Sequence, residues 1–380
     1  MIRRFPVMGA AAALLCGASG AWASVAVTNY NWLQLPNSQI TVAVTGAATA
    51  NTNGYGVPVD FRWAARTWIP SWDLTGTKGT GTDTTTVRTG VDYTAAVQFT
   101  AAARNVSSVL VEPYVEAGHT TLTKFHIDGF DPNTSTWTND ITTTGLAVTN
   151  SGALVTVPVN SASYQAIRIR VAAGDYTTTG GGAYGGPGFT TIAPIGSGTA
   201  ADSEVNRANK TLFNTVASSN FAASHGYAVT GTTWNDAGIY DSRRIVGSDG
   251  NYVAGDYMQL DLTNAANVTT SIAKLIILDE GSYGIGGATI STSTDGTLFT
   301  PVSNQTLVND AAGSGEPDAH EFNFDAVNAR YVRITNATNE NGYTLVNQVL
   351  VYAPASVPEP ASIGVLGLGG LLLLRRRQRP

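Results

Sequence analysis

The sequence predicts an all-β fold that consists of two antiparallel β-sandwiches. Its hydrophobic residues form short β-branched or alternating runs, which clusters of Gly, Asn, Asp, Pro and Thr separate. A charged fraction of 13% with 41 glycines in 380 residues is typical of extracellular β-proteins. A weak internal repeat indicates two units, because residues 164–170 and 329–335 both place an aromatic residue ahead of hydrophobic residues that alternate with arginine.

Residues 1–23 predict a signal peptide. Arg3 and Arg4 form a basic start, residues 7–15 supply a short apolar stretch, and an Ala-Trp-Ala sequence directly before Ser24 fits a small-x-small cleavage site. Cleavage at this site makes Ser24 the first residue of the exported chain.

The exported part of the chain is more acidic than the whole. The full sequence has a formal net charge of −6, with 21 Lys and Arg against 27 Asp and Glu, but its two terminal segments hold six arginines and one glutamate, which leaves 15 against 26, about −11. This charge argues against nucleic acid as a partner. Cleavage also removes Cys16, the single cysteine, so burial rather than disulfides must stabilise the fold.

The first unit is predicted to span residues 24–196. It opens with a long Thr-rich stretch, in which Trp63, Trp68 and Trp72 are crowded together. Four runs then predict strands, at 109–111, 121–127, 154–159 and 167–171. A glycine-rich stretch at 180–188 predicts a loop before the junction between the units.

The second unit is predicted to span residues 197–355. Five runs predict strands, at 258–262, 274–278, 288–291, 331–334 and 349–352. The one helical window is 203–217, and its Thr and Asn content weakens that prediction. Asp295 and Gly296 predict a hairpin turn, and Tyr331, Val332 and Ile334 are predicted to fill a strand core.

The order of four segments in the second unit resembles the discoidin, or galactose-binding-like, jelly-roll sandwich of F5/8 type C domains and many bacterial carbohydrate-binding modules. These segments are 257–262, 293–299, 329–334 and 349–352. The resemblance implies binding through loops at one end of the sandwich, and some members of the family hold a structural calcium ion. The first unit shows a fainter version of the same pattern.

Sugar binding needs flat apolar surface for the ring faces together with groups that hydrogen-bond hydroxyls. The best such mixture consists of His225, Trp234, Asn235, Tyr240, Arg243 and Arg244, with Tyr283 in a second glycine-rich loop. The alternative interpretation is that Trp234 and Tyr240 plug the open end of the sandwich.

Asp249, Asn251 and Asp256 offer hard oxygen ligands for calcium in a loop before the strand at 258–262. Against this hypothesis, the family often places a glutamate just before the final strand, where this chain has Gln348. The Asp-Gly-Asn sequence is equally an ordinary turn, so both interpretations stay open.

Residues 356–380 resemble the PEP-CTERM sorting signal of Gram-negative bacteria. The apolar run 361–374 spans roughly 21 Å as a helix, which is short for a hydrocarbon core of about 30 Å, so it predicts a short transmembrane helix. A motif precedes this run and consists of Val357, Pro358, Glu359 and Pro360. A basic cluster follows the run and consists of Arg375, Arg376 and Arg377. The resemblance implies processing by an exosortase-type membrane enzyme; the alternative is an ordinary C-terminal anchor.

Catalytic motifs are absent from the sequence. There is no nucleophile elbow, no His-Glu-x-x-His and no phosphate-binding glycine loop. His126 and Asp128 share one face of an extended strand, but no third metal ligand is evident, and a solvated strand face explains both.

Together these observations predict an exported, non-catalytic protein that binds a glycan, an exopolysaccharide in particular. The C-terminal helix is expected to anchor it in the inner membrane before processing, and the protein then resides at the cell surface or outside the cell. One alternative is a purely structural matrix component that binds protein partners. Another is a polysaccharide hydrolase or lyase, whose two carboxylates need no local motif.

Overall fold

The computed structural model describes the parts of the chain that form its β-structure. These parts are residues 24–45, 92–113, 121–143, 155–177, 189–219, 246–248, 257–263, 268–279, 285–308, 319–339 and 344–355. No helix in these parts is long and apolar enough to cross a membrane. The signal peptide, the sorting motif and the helix predicted at 361–374 lie outside the described residues.

The first unit combines a four-stranded and a five-stranded antiparallel sheet. Its strands are β1 (Ser24–Asn31), β2 (Ile40–Thr45), β3 (Tyr93–Phe99), β4 (Arg104–Pro113), β5 (Thr121–Leu122), β6 (His126–Asp131), β7 (Thr136–Thr138), β8 (Val155–Tyr164), β9 (Ala166–Val171), β10 (Tyr176–Thr177) and β11 (Phe189–Ala201). The sheet orders are β1-β11-β4-β8 and β2-β3-β9-β6-β7, and β5 pairs with β10. Short 3-10 turns at Trp32–Gln34 and Asn37–Gln39 separate β1 from β2.

The second unit combines two five-stranded antiparallel sheets. Its strands are β12 (Val216–Ser219), β13 (Val246–Ser248), β14 (Tyr257–Asp261), β15 (Thr270–Asp279), β16 (Ile285–Ser293), β17 (Thr300–Pro301), β18 (Thr306–Val308), β19 (Ala319–Ala329), β20 (Tyr331–Asn339) and β21 (Thr344–Tyr352). The sheet orders are β12-β14-β20-β16-β17 and β13-β21-β15-β19-β18.

The two units share one arrangement of strands. Position by position, β1-β11-β4-β8 matches β13-β21-β15-β19, and β2-β3-β9-β6-β7 matches β12-β14-β20-β16-β17. The repeat found in the sequence falls on equivalent strands, since residues 164–170 lead into β9 and residues 329–335 lead into β20. The predicted all-β fold of antiparallel sandwiches is therefore confirmed.

Alternating side chains build a separate apolar core in each unit. In β9, Ile167 and Ile169 are fully buried, whereas Arg168 and Arg170 point to the other face. In β20, Val332 and Ile334 are buried in the same way. Each such side chain contributes about 1.5–3 kcal/mol through burial. The alternation puts Tyr331 on the outer face, so the prediction that it fills the core is wrong.

The segment between the units, residues 202–215, is called the linker below. Strand β11 ends at Ala201, so the first sandwich extends past residue 196, and β12 begins at Val216. The helix predicted at 203–217 is reduced to a 3-10 turn at Asp202–Glu204 and one α-helix, α1 (Lys210–Phe213). Asparagine side chains delay the start of the helix, because the Asn206 side chain accepts from the Ala208 N–H in a local turn and the Asn209 side chain accepts from the Leu212 N–H as the N-cap of α1.

The linker belongs to both cores at once. Val205 packs into the core of the first unit, with Phe213 against it, while Ala208 packs into the core of the second. The hydroxyl of Thr215 lies within hydrogen-bonding distance of the carbonyl oxygens of Arg207 and Leu262. A segment that is buried on two sides in this way cannot act as a free hinge.

Five buried polar side chains complete the contact between the units, and they are called the junction below. The junction consists of Tyr30, Gln34, Asn206, Asn209 and Tyr352, each at most 4% exposed. The Gln34 Oε1 atom accepts from Asn206 Nδ2 at 3.2 Å and from Asn209 Nδ2 at 3.1 Å. The Gln34 backbone oxygen accepts from the Tyr352 hydroxyl at 2.7 Å, and the Asn206 N–H donates to the Tyr30 hydroxyl at 3.0 Å. Burial raises the pKa of Tyr30 well above its ordinary range.

The linker also continues the sheet of the second unit. The Val351 N–H donates to Asn206 Oδ1 at 2.9 Å, and the Arg207 N–H donates to the Val351 carbonyl at 2.6 Å. On the other side, Arg104 of β4 donates to Glu204 at 3.1 Å and lies 5.3 Å from the Trp32 ring centroid. The last strand of the chain is thus bonded to a linker that the first unit also holds.

Candidate functional site

One end of the second sandwich gathers most of the segments that connect its strands. The antiparallel pairing places Ser219 opposite Met258, Tyr257 opposite Thr335, Ser248 opposite Thr344, Leu278 opposite Ala319 and Ile285 opposite Asn339. The strand ends that flank residues 249–256, 280–284, 309–318 and 340–343 therefore lie at this end, which is called the loop end of the unit, and residues 220–245 start there after Ser219. The sequence alone could not show that these flanks converge.

The segments that hold every predicted ligand residue each have at least one flanking strand end at the loop end. His225, Trp234, Asn235, Tyr240, Arg243 and Arg244 belong to residues 220–245, Tyr283 belongs to 280–284, and Asp249, Asn251 and Asp256 belong to 249–256. These residues themselves lie outside the described part of the chain. The structure thus brings the flanks of the three segments together, and the roles of the side chains stay predictions.

The first unit has an equivalent loop end. Its pairing places Thr45 opposite Thr94, Val111 opposite Val155, Phe189 opposite Pro113 and His126 opposite Arg170. The strand ends that flank residues 46–91, 114–120, 144–154 and 178–188 lie at this end. The segment 46–91 contains Trp63, Trp68 and Trp72, which are also outside the described residues.

On the outer face of β20, Arg333 lies between two aromatic rings. Its guanidinium carbon is 3.9 Å from the Tyr257 ring centroid and 3.6 Å from that of Phe299. Its Nη2 and Nε atoms donate to Gln259 Oε1 at 2.7 and 3.2 Å. Cation–π contacts of this kind contribute about 0.5–1 kcal/mol where partly exposed. Sequence reasoning missed this cluster, because its members come from β14, from β20 and from the segment between β16 and β17.

The first unit repeats the same contact at the equivalent position. Arg168 of β9 lies 4.2 Å from the Trp137 ring centroid, and Trp137 meets the Phe130 ring edge-on at 5.4 Å. The repeat in the sequence aligns Arg168 with Arg333, and the hairpin after each neighbouring strand supplies the aromatic residue. The shared contact therefore belongs to the scaffold that the two units have in common.

Asp128 anchors a charge cluster beside this contact. Its carboxylate accepts from Arg168 Nε at 2.8 Å, from Arg170 Nε at 2.9 Å and from the Asp140 N–H at 2.9 Å. The side chain is 0% exposed, so the expectation of a solvated strand face is wrong for Asp128. Burial acts to raise the pKa of Asp128, but the hydrogen bonds from Arg170, Asp140 and Arg168 outweigh it, and the pKa lies below its ordinary value.

His126 completes the cluster through two carboxylates. Its Nδ1 atom lies 2.5 Å from Asp140 Oδ1, and its Nε2 atom lies 3.0 Å from Asp175 Oδ2. These partners come from the segments that follow β7 and β9, which is why the sequence pointed only to His126 and Asp128. Within the described residues, no group of three or more His, Cys, Asp and Glu side chains is arranged to hold a metal ion.

Comparison with known protein families agrees with this architecture. The F5/8 type C domain family matches residues 214–349, which run from the end of the linker into β21. Residues 214–349 of the second unit are thus similar to F5/8 type C domains. The PEP-CTERM protein-sorting motif matches residues 356–378, directly after the second unit and its last strand. This motif supports export and sorting to the cell surface.

Solved structures similar to the chain include β-sandwich modules. The CBM32-1, CBM32-2 and M60 catalytic domains from Clostridium perfringens ZmpB are 10% identical, with 88% of this chain and 40% of that chain covered and a TM-score of 0.27. The CBM32 of AlyQ in complex with 4,5-unsaturated mannuronic acid is 20% identical, with 28% and 76% covered and a TM-score of 0.23. Allantoicase is 10% identical, with 83% and 92% covered and a TM-score of 0.32.

The chain spans 40% of the ZmpB structure, so the activity of that larger protein does not transfer to it. No curated protein matches the chain.

Proposed function

We propose that the protein is an exported, non-catalytic glycan-binding protein whose second unit, which is similar to F5/8 type C domains, takes up carbohydrate at its loop end. The convergence of strand ends at the loop end carries the proposal, because it gathers the segments that contain the aromatic, arginine and amide residues. The family match over residues 214–349 supports it, since many bacterial carbohydrate-binding modules share this fold. An exopolysaccharide is the proposed ligand class.

The ligand residues we propose divide into two kinds. Trp234, Tyr240 and Tyr283 supply faces on which sugar rings stack, while His225, Asn235, Arg243 and Arg244 supply hydrogen bonds to hydroxyls or carboxylates of the sugar.

Alanine at Trp234 tests stacking against the alternative that this residue plugs the sandwich. The test uses a protein of residues 24–355, whose ligand is first found on a glycan array and then titrated by calorimetry. Trp234→Ala is expected to weaken binding at least tenfold and to leave the melting temperature within about 2 °C of the wild-type value. Leu298→Ala is the matched control, because Leu298 is an apolar side chain with 75% exposure on the other end of the same unit.

A fall in melting temperature with unchanged affinity would assign Trp234 to the core. Silence of the wild type across diverse glycans, with self-association, would favour the structural matrix role. Polysaccharide cleavage by the wild type that is lost when one carboxylate is removed would favour the interpretation as a hydrolase or lyase.

We also propose calcium at Asp249, Asn251 and Asp256, in a segment that joins β13 to β14 at the loop end. An ion that binds only the folded state must stabilise it. Millimolar calcium is expected to raise the melting temperature, and Asp249→Asn is expected to abolish that rise. Asp325→Asn is the control, because Asp325 is exposed on β19 and bonds Asn304. Equal melting temperatures of the wild type with calcium and with chelator would contradict the proposal.

The sorting motif indicates where in the cell the protein binds its ligand. Val357, Pro358, Glu359 and Pro360, the helix 361–374 and the basic Arg375, Arg376 and Arg377 are proposed to anchor the protein in the inner membrane until an exosortase-type enzyme processes the tail. The match of the PEP-CTERM motif to residues 356–378 supports this step. The processed protein then acts at the cell surface or in the extracellular matrix.

A further inference from the structure

The last strand carries the chain away from the loop end. Strand β21 starts at Thr344, opposite Ser248 at the loop end, and finishes at Tyr352, opposite Lys274. Nine residues of strand cover about 30 Å. The chain therefore leaves the second sandwich at the end opposite to its loop end.

The exit point is also the place where the two units meet. Val351 is hydrogen-bonded to the linker, and the Tyr352 hydroxyl donates to Gln34 of the first unit at 2.7 Å. Ala353 is still buried, and the PEP-CTERM match begins at residue 356. The few residues from Ala353 to Pro358 reach at most about 18 Å when extended. The sorting tail is thus held close to the junction.

The amino-terminal strand starts at the same region. Ser24 is opposite Ala201, the residue directly before the linker, so β1 begins beside the segment that joins the units. The loop end of the first unit lies at the other end of its sandwich, since Phe189, at the start of β11, is opposite Pro113. Both ends of the folded body therefore emerge near the junction, away from both loop ends.

We propose that the junction side of the molecule faces the membrane while the tail is attached, and that the two sandwiches form one rigid body that holds both loop ends outward. This inference rests on the tail attachment in the proposed function and is independent of which glycan binds. A short tether at the junction leaves little freedom for either loop end to turn toward the lipid. A flexible linker would remove this constraint, but the linker is buried in both cores.

Single cysteine labels test this orientation cleanly, because the chain has no cysteine after Cys16. In the second unit, Val268→Cys marks the end opposite to the loop end, and Leu307→Cys, which is in register with Val351, lies about midway from there to the loop end; the two side chains are 47% and 41% exposed. In the first unit, the exposed Ala102 and Ala173 give the matching pair, between β3 and β4 and after β9 respectively. The strand register separates Val268 from Leu307 by about 20 Å along the sheet.

The measurement is energy transfer from each label to acceptor-labelled lipid headgroups, with the chain from Ser24 to Pro380 held in lipid nanodiscs. We expect at least threefold stronger transfer from Val268→Cys than from Leu307→Cys, and the same order for Ala102→Cys over Ala173→Cys. Equal or reversed transfer in either pair would overturn the proposal, as would failure of the protein to stay with the nanodiscs.

The same samples separate this inference from glycan binding. Loss of glycan binding with the expected transfer pattern would contradict only the proposed ligand class. Normal glycan binding with equal transfer in both pairs would overturn only the orientation.

Discussion

Asp128 shows how one side chain ties together segments that are distant in sequence. It sits in β6 with no exposed surface, and its charge is balanced by Arg168 and Arg170 of β9. The neighbouring Asp140 N–H adds a third donor. A buried carboxylate without such donors would cost several kcal/mol, so the side chain depends on all of these partners.

Asp128→Asn is expected to lower the free energy of unfolding by about 2 kcal/mol at pH 7, because the two arginines lose their charged partner. The pKa of Asp128 is lowered in the folded state, so its stabilising effect is full above the unfolded value near 3.9 and is lost as the pH falls below it. The difference between variant and wild type should therefore shrink when urea unfolding is repeated near pH 3.

Asp131→Asn is the control for this measurement. Asp131 lies at the end of the same strand and accepts only a local bond from the Asn133 N–H at 2.8 Å. A loss of stability for Asp128→Asn that stays the same from pH 7 to pH 3 would contradict the assignment to charge.

Strands with regular alternation of buried and exposed residues were predictable from the sequence. Contacts that depend on which strands pair were not. The alternation in β9 and β20 identified both strands and the buried Val332 and Ile334, because a period of two is a local property. The ion pairs of Asp128 depend on strand register, which no local pattern specifies. The loop end likewise follows from pairing, so the sequence supplied its residues without showing that their flanks converge.

The region between the units is where the sequence misled most. The boundary predicted after residue 196 falls inside β11. A side chain at Gly196 would collide with the Asn105 carbonyl, so this glycine allows two strands to approach closely. The linker then begins after Ala201, where the Asn206 side chain closes a local turn and the Asn209 side chain caps the start of α1.

At the scale of the whole molecule, the linker makes the two sandwiches interdependent. The family match starts at residue 214, so it leaves out Asn206 and Asn209, which bond Gln34, and Asn206 also bonds Val351. A fragment that begins at residue 214 and keeps all of β21 would lose these bonds and expose Tyr352. The two units are therefore expected to unfold together.

Asn206→Ala tests this coupling. It leaves the Tyr352–Gln34 bond in place but removes the side chain that bonds both Gln34 and Val351, and buried groups without partners cost about 1–3 kcal/mol. Calorimetry should show one unfolding transition for the wild type, and two separated transitions or a lower melting temperature for the variant. Asn328→Ala, at an exposed position of β19, should behave like the wild type. An unchanged single transition in Asn206→Ala would contradict the coupling.

Strand β21 also decides how the molecule bears mechanical load. It lies between β13 and β15, with the loop end at its start and the exit to the tail at its finish. If a bound polymer is pulled away from an anchored tail, the force runs along the strand, whereas the ladder hydrogen bonds lie across it. Such a pull shears many bonds together and does not peel them one by one, so the direction of this strand suits a protein under tension.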